Sequence, residues 1–157
     1  VADAVINEVV LACRPYLKSK GVEVFFEGRS DVAVIMDSDV VGQIIHNLLG
    51  NVEKYAASGR RVEITSKYED EEIVVRVRDY GPGISAEHAQ KIFEPFVRLS
   101  SELNEGVSGT GIGLSIARDL ARIHGGDLML LESKSGACTE LKIRVTKARD
   151  KDENTDC

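Results

Sequence analysis

The run Asp39-Val-Val-Gly-Gln-Ile-Ile-His-Asn47-Leu-Leu-Gly-Asn51-Val-Glu-Lys54-Tyr55-Ala56 repeats its apolar residues at helical spacing. At 3.6 residues per turn, Val41, Ile44, Ile45, Leu48, Leu49 and Val52 share one broad face, which predicts an amphipathic helix over 39–56. Asp37-Ser38-Asp39 supplies its N-terminal cap. Asn47, Asn51, Lys54 and Tyr55 fall beside the apolar face and not opposite it, while Gln43, His46, Gly50 and Glu53 take the side left for solvent. Two amides, an ammonium and a phenol therefore line one edge of a stripe that must be buried.

Working outward, Arg61–Tyr68 and Glu72–Asp79 alternate as strands around the acidic turn Glu69-Asp70-Glu71, most simply a hairpin. Ile73, Val75 and Val77 share parity, so Asp79 continues on the inner face, where a carboxylate is costly unless hydrogen bonds reach it. Gly81-Pro82-Gly83 ends the strand, and 86–93 reads as a short helix leading to Phe93-Glu-Pro-Phe96. A polar connection over 97–109 follows, and Gly109-Thr110-Gly111-Ile112-Gly113-Leu114 then opens a helix. Ile116, Ala117, Leu120, Ala121 and Ile123 form the expected apolar face of that helix, and Gly125-Gly126 stops it. Strands at 127–133 and 139–146 flank a Ser135-Gly136 turn, with Leu141, Ile143 and Val145 inward and Thr139 on their parity. On the N-terminal side, residues 3–18 predict a helix, Val22–Glu27 a strand and Val32–Met36 a second short one. The whole reads as one α/β domain over 1–146, a mixed, mostly antiparallel sheet with helices on one face, followed by a disordered polar tail at 147–157.

With 157 residues the chain can bury an ordinary core without staples. Its 26 acidic against 20 basic side chains leave a net charge of −6, which argues against a nucleic-acid backbone binder or an anionic-membrane patch. No apolar run approaches the ~20 residues of a membrane span, and no signal peptide opens the chain. Cys13, Cys138 and Cys157 are too scattered for a disulfide framework or zinc motif, so a reducing cytoplasmic setting is expected.

Three groups of residues point to chemistry. Gly109, Gly111 and Gly113 stand at alternate positions where a loop enters a helix, and glycines there let phosphate oxygens approach unpaired N–H groups. Alone, such a turn reads as well as a hinge or a packing device. Asn47 and Asn51 offer amide oxygens to Mg²⁺, and Lys54 a point charge to phosphate, although any one of them could be an ordinary polar residue. Asp79, with Gly81 and Gly83 leaving space above it, suits a purine exocyclic amine, the alternatives being a structural salt bridge or turn cap.

Together these motifs resemble the ATP-binding domain of the gyrase–Hsp90–histidine kinase–MutL superfamily, and most closely that of sensor histidine kinases. Asn47-Leu-Leu-Gly-Asn51-Val-Glu-Lys54-Tyr55 is similar to the asparagine box and Asp79-Tyr-Gly81-Pro-Gly83-Ile84 to the first glycine box. Phe93-Glu-Pro-Phe96-Val-Arg98 resembles the phenylalanine box and Gly109 to Leu114 the second glycine box, all in family order. The resemblance implies the Bergerat-type two-layer α/β sandwich and a cofactor of ATP with Mg²⁺. By it, Asp79 binds the adenine amine with Thr139 in support through water, and Tyr55 flanks the purine. Asn51 holds Mg²⁺ with help from Asn47, Lys54 contacts phosphate, and Arg98 meets phosphate or lid. Gly109, Thr110, Gly111, Ile112, Gly113 and Leu114 wrap the phosphates, Gly81, Gly83, Ile84 and Phe96 complete the pocket, and 97–108 form a lid. ATP lies between the helix at 39–56 and the loop–helix at 109–124.

The implied activity is protein-histidine kinase, with Asn47 and Lys54 as catalytic residues and γ-phosphoryl transfer to a histidine on a separate dimerisation domain. His46, His88 and His124 are followed by Asn, Ala and Gly, so none has the acidic neighbour of the family's phosphoacceptor. The implied partners are the dimerisation and histidine-phosphotransfer domain of the same parent and a response-regulator receiver domain. Neither nucleic acid nor direct membrane contact is expected, with the fragment monomeric and the parent homodimeric. Val52-Glu53 and Gly136-Ala-Cys-Thr139 depart from the family pattern, the second at the adenine end. An ATP-driven clamp of the gyrase, Hsp90 or MutL kind is the alternative, but there the position of Asn47 is typically a water-activating glutamate. A serine-directed kinase and a non-catalytic nucleotide sensor are the others.

Overall fold

Asp37 caps the helix around which the molecule is arranged, its side chain accepting from the N–H groups of Asp39 and Val40 at 3.1 Å each. In the computed structural model, which describes residues 1–95 and 113–149, this helix is α2 (Ser38–Tyr55), and all six apolar positions of its expected face are buried. α1 (Ala2–Ser19) packs along it through Ile6, Val10, Cys13 and Leu17. The flank of α2 assigned to solvent is partly covered by α1. Cys13 Sγ lies 3.4 Å from His46 Nδ1, Lys20 pairs with Glu53 at 3.8 Å, and a side chain on Gly50 would meet the Tyr16 hydroxyl at 3.8 Å. One helix's periodicity cannot show a second helix lying against its flank.

The strands are β1 (Glu23–Arg29), β2 (Val34–Ile35), β3 (Arg61–Glu69), β4 (Glu72–Asp79), β5 (Asp127–Leu131), β6 (Cys138–Arg144) and β7 (Thr146–Lys147). The main sheet runs β1-β3-β4-β6-β5, parallel only between β1 and β3, where α2 makes the crossover. The β3–β4 hairpin closes on Asp70 and Glu71, both with positive φ, the geometry that matches strand twist in a two-residue turn. α3 (Gly113–Ile123) completes the helical layer, and one core cluster joins all three helices to the inner positions Val62, Ile64, Ile73, Val75, Val77, Leu128, Leu141 and Ile143. This is the expected mixed, mostly antiparallel sheet with helices on one face.

Three local expectations change. β2 and β7 form a separate two-stranded sheet, Val34 opposite Lys147, and Ala148 donates to the Ala33 carbonyl at 2.9 Å. Order therefore extends past 146, so the tail does not begin at Lys147; residues 150–157 lie outside the described part. Residues 86–93 make turns and one 3₁₀ turn at Lys91–Phe93, not a helix. In α3 the buried positions are Ser115, Ala117 and Ala121, whereas Ile116 is 39% and Ile123 76% exposed. The small Ala side chains let α3 sit close to its neighbours, and the two isoleucines fall to the side.

Candidate functional site

Asp79 ends β4 on the inner face, as its parity required, and is half-buried. Its Oδ1 accepts the N–H groups of Gly81 at 3.0 Å and Ala137 at 3.1 Å. No described cation pairs with it, and its Oδ2 takes no hydrogen bond from the described residues. Burial pushes the carboxyl above its ordinary range, only partly offset by the Ala137 and Gly81 amides. Thr139 stands diagonally across from it, opposite Val77, with Oγ1 donating to the Val77 carbonyl at 3.4 Å. Among the described residues the salt-bridge alternative for Asp79 finds no partner, whereas the Gly81 bond is the turn cap that was the other alternative, made by Oδ1 alone.

The turn beyond Asp79 is held by close backbone packing. A Cβ on Gly136 (φ +67) would lie 2.0 Å from the Asp79 carbonyl oxygen, and one on Gly81 2.7 Å from the Ala56 Cα. Gly83 (φ +78) would meet the Gly136 carbonyl at 3.1 Å. Sequence reasoning missed the parts played by Ala56, Gly59, Tyr80 and Ala137, because each acts through main-chain contact with a segment distant in sequence. At the Gly136-Ala137 departure Ala137 meets Asp79 through its main chain, accepting from the Asp79 N–H at 2.9 Å as well as donating to Oδ1.

On the adjoining flank of α2, Asn47, Asn51 and Lys54 are half-buried and Tyr55 is exposed at the helix end. Asn47 Nδ2 donates to the Gly113 carbonyl at 3.4 Å, so the asparagine run and the start of α3 meet. Among the described residues Asn51 Nδ2 is buried without a hydrogen-bond partner and Lys54 forms no ion pair. Such an orphaned donor costs about 1–3 kcal/mol until a ligand, ion or water takes it up. Turning the Asn51 amide by half a rotation puts its oxygen in the same place, so it can serve a phosphate oxygen or a cation. Among the described residues no cluster of three or more His, Cys, Asp or Glu is placed to hold a metal ion. The donors are amides only, which fits Mg²⁺ that keeps its waters and arrives on phosphate oxygens.

Leu114 and Ile84 are half-buried against the core. Phe96, Arg98, Gly109, Thr110, Gly111 and Ile112, and the lid expected at 97–108, lie outside the described residues. What the structure brings together is Asp79 with Thr139 at one end and Asn47 with Gly113 at the other, and Asn51 and Lys54 follow on the same α2 flank. None of the described helices is long and apolar enough to cross a membrane.

Residues 36–147 match the family model of histidine kinase-, DNA gyrase B- and HSP90-like ATPases. The adaptive-response sensory kinase SasA of Prochlorococcus marinus is 34% identical over 147 residues, 92% of this chain and 38% of SasA. The sensor protein CutS of Streptomyces coelicolor is 37% identical over 131 residues, 82% of this chain and 30% of CutS. The chain thus spans 38% and 30% of the length of these two curated relatives. Among solved structures, the catalytic domain of the histidine kinase ThkA in a nucleotide-free form superposes with a TM-score of 0.78 at 28% identity, covering 90% of this chain and 91% of that one. Full-length ShkA in complex with AMPPNP gives a TM-score of 0.82 at 24% identity over 96% of this chain and 31% of that one, a likeness of fold.

Proposed function

The chain belongs to the family of histidine kinase-, DNA gyrase B- and HSP90-like ATPases, and on that basis we propose that it is the ATP-binding catalytic domain of a two-component sensor histidine kinase. It holds ATP with Mg²⁺ and presents the γ-phosphoryl group to a histidine on the dimerisation domain of its parent, which then serves a response-regulator receiver domain. The compartment is the cytoplasm, the fragment a monomer and the parent a homodimer. The observation that carries the reading is the Asp79 carboxylate, anchored through one oxygen by two main-chain amides and paired with no described cation. Its second oxygen is the acceptor that an adenine amine needs.

At the other end Lys54 would neutralise phosphate charge, and Asn47 and Asn51 would hold Mg²⁺, which when bound would supply positive charge beside the phosphates. Phosphoryl transfer is chiefly positioning and charge stabilisation, so a domain of this kind binds nucleotide but turns over little until an acceptor is aligned. Asn47 carries no carboxylate to activate water, which favours transfer to an external acceptor over the hydrolysis of an ATP-driven clamp. The chain's own histidines are otherwise engaged: His46 beside Cys13, His88 with the Ser85 hydroxyl at 2.7 Å, and His124 on the Leu120 carbonyl at 2.9 Å.

The test is Mg-ATP titration by calorimetry, followed by transfer from γ-labelled ATP to a dimerisation domain supplied in trans. Acid-labile, alkali-stable label on that domain supports the kinase. Label on serine or free phosphate without transfer points to the serine kinase or the clamp, and absence of nucleotide binding overturns the site.

A further inference from the structure

Tyr80 follows Asp79 directly and so faces the outer side of the sheet, away from the pocket. Its hydroxyl donates to Glu63 Oε2 at 2.9 Å. The other Glu63 oxygen accepts from Arg61, with Nε at 2.8 Å and the terminal nitrogen at 2.6 Å. The Arg61 guanidinium lies 4.2 Å over the Phe25 ring and 5.9 Å from that of Tyr80, while Arg78 lies 5.0 Å from the Tyr80 ring. Among the described residues Arg78 Nε is buried with no hydrogen-bond partner, and ring contact and the Glu63 charge act on this guanidinium. Burial opposes the ionised form of Glu63, but the Tyr80 and Arg61 hydrogen bonds outweigh it and keep the carboxyl below its ordinary range. Side chains from β1, β3 and β4 thus grip one phenol on the outer face.

The main chain of the same residue belongs to the pocket. The peptide joining Tyr80 to Gly81 carries the N–H that reaches Asp79 Oδ1 at 3.0 Å. Its opposite side rests on Gly59, where a Cβ would approach the Tyr80 carbonyl carbon to 2.2 Å. With one face against Gly59 and the side chain fixed outside, this peptide has little freedom to turn. Turning it would withdraw a donor from the Asp79 carboxylate and free that carboxylate to rotate.

We propose that Tyr80 is a positioning residue of the nucleotide pocket. Its side chain, clamped on the outer face, orients the Asp79 carboxylate and thereby sets the preference for a purine bearing an exocyclic amine. The inference rests on the nucleotide-binding reading above and adds to it a selectivity determinant that touches no nucleotide. Tyr80 contributes no atom to the base; it acts through the 80–81 peptide alone.

The experiment compares Mg-ATP with Mg-inosine triphosphate, which has a carbonyl where adenine has its amine. Dissociation constants and melting temperatures are measured for the unaltered chain, Tyr80→Phe, Tyr80→Ala, Asp79→Asn and the double variant Asp79→Asn/Tyr80→Ala. The unaltered chain is expected to prefer ATP by about tenfold or more, since a site built to pair a donor rejects an analogue lacking it. Tyr80→Phe, which loses only the Glu63 bond, should lower that preference about two- to fivefold with little change in melting temperature. Tyr80→Ala should lower it further, yet add nothing to the loss of preference in the Asp79→Asn background. A purely structural role would instead weaken both nucleotides equally. If Asp79→Asn abolishes the preference while both Tyr80 variants retain it, the inference is overturned and the pocket stands. If the unaltered chain binds neither nucleotide, the pocket reading falls and takes this inference with it.

Discussion

Asp79 and Ala137 are joined by reciprocal hydrogen bonds: the Asp79 N–H donates to the Ala137 carbonyl at 2.9 Å, and the Ala137 N–H donates to Asp79 Oδ1 at 3.1 Å. The adjoining ends of β4 and β6 are thereby locked, and among the described residues the carboxylate is aimed by main chain and not by a counter-charge. Its environment favours the neutral form, because burial raises the carboxyl pKa more than the two amides lower it.

Asp79→Asn keeps an oxygen for both amides and removes a half-buried charge. Mg-ATP affinity should fall about tenfold or more, the loss of one charge-assisted hydrogen bond, while the melting temperature of the free protein stays level or rises. With its folded pKa raised, Asp79 contributes stability below its unfolded pKa, and that contribution is lost as pH rises through the folded value. Calorimetric titration should therefore show Mg-ATP binding weakening as pH falls through the same raised pKa. Undiminished affinity in the Asn variant would refute the role of Asp79.

Gly136 has φ +67 and no room for a side chain, since a Cβ would stand 2.0 Å from the Asp79 carbonyl oxygen. Gly136→Ala should destabilise the domain by about 3 kcal/mol or more, combining left-handed strain with displacement of the β4 end. Urea unfolding measures this. A loss below about 0.5 kcal/mol would mean that the turn relaxes freely.

The orphaned Asn51 amide predicts opposite changes in stability and binding. Asn51→Ala removes an unsatisfied buried donor, so the free protein should lose little or no stability, while Mg-ATP affinity drops about tenfold or more. Because the described donors are amides without a carboxylate cluster, Mg²⁺ alone should produce no thermal shift at millimolar concentration. Mg-ATP at about a hundred times its dissociation constant should add about 2.7 kcal/mol.

Asp3 ties the first turn of α1 to the sheet. It accepts the Ser30 N–H at 2.9 Å and the hydroxyls of Ser30 and Ser66, both buried. Asp3→Ala should cost about 2–4 kcal/mol in urea unfolding, because it strands the Ser30 N–H and one of the two hydroxyls, whose oxygens lie 3.3 Å apart and can still pair with each other. Asp3→Asn, which retains an acceptor, should cost less. Equal losses in both variants would show that a single accepting oxygen does not suffice and that the joint needs both carboxylate oxygens.

Local periodicity made much of the molecule readable. The apolar face of α2, the β3–β4 hairpin and the inward parity of Asp79 and Thr139 all depend on residues within a few positions of one another. α3 was less legible: Ile116 and Ile123 lie exposed, Leu114 and Leu120 are only partly buried, and Ala117 and Ala121 are the residues fully buried. A helical wheel weighs hydrophobicity and cannot weigh how closely a neighbour approaches.

What the amino-acid sequence determines by itself is which side chains face inward and where amides, carboxylate and glycines recur, since helix and strand periods are properties of the local backbone. Which of those groups remain unpaired was decided only by the tertiary structure. Asn51 is an orphan, Asp79 is held by Ala137 from another strand, and Tyr80 is gripped by Arg61, Glu63 and Arg78, because hydrogen bonding and close packing are settled between segments distant in the chain.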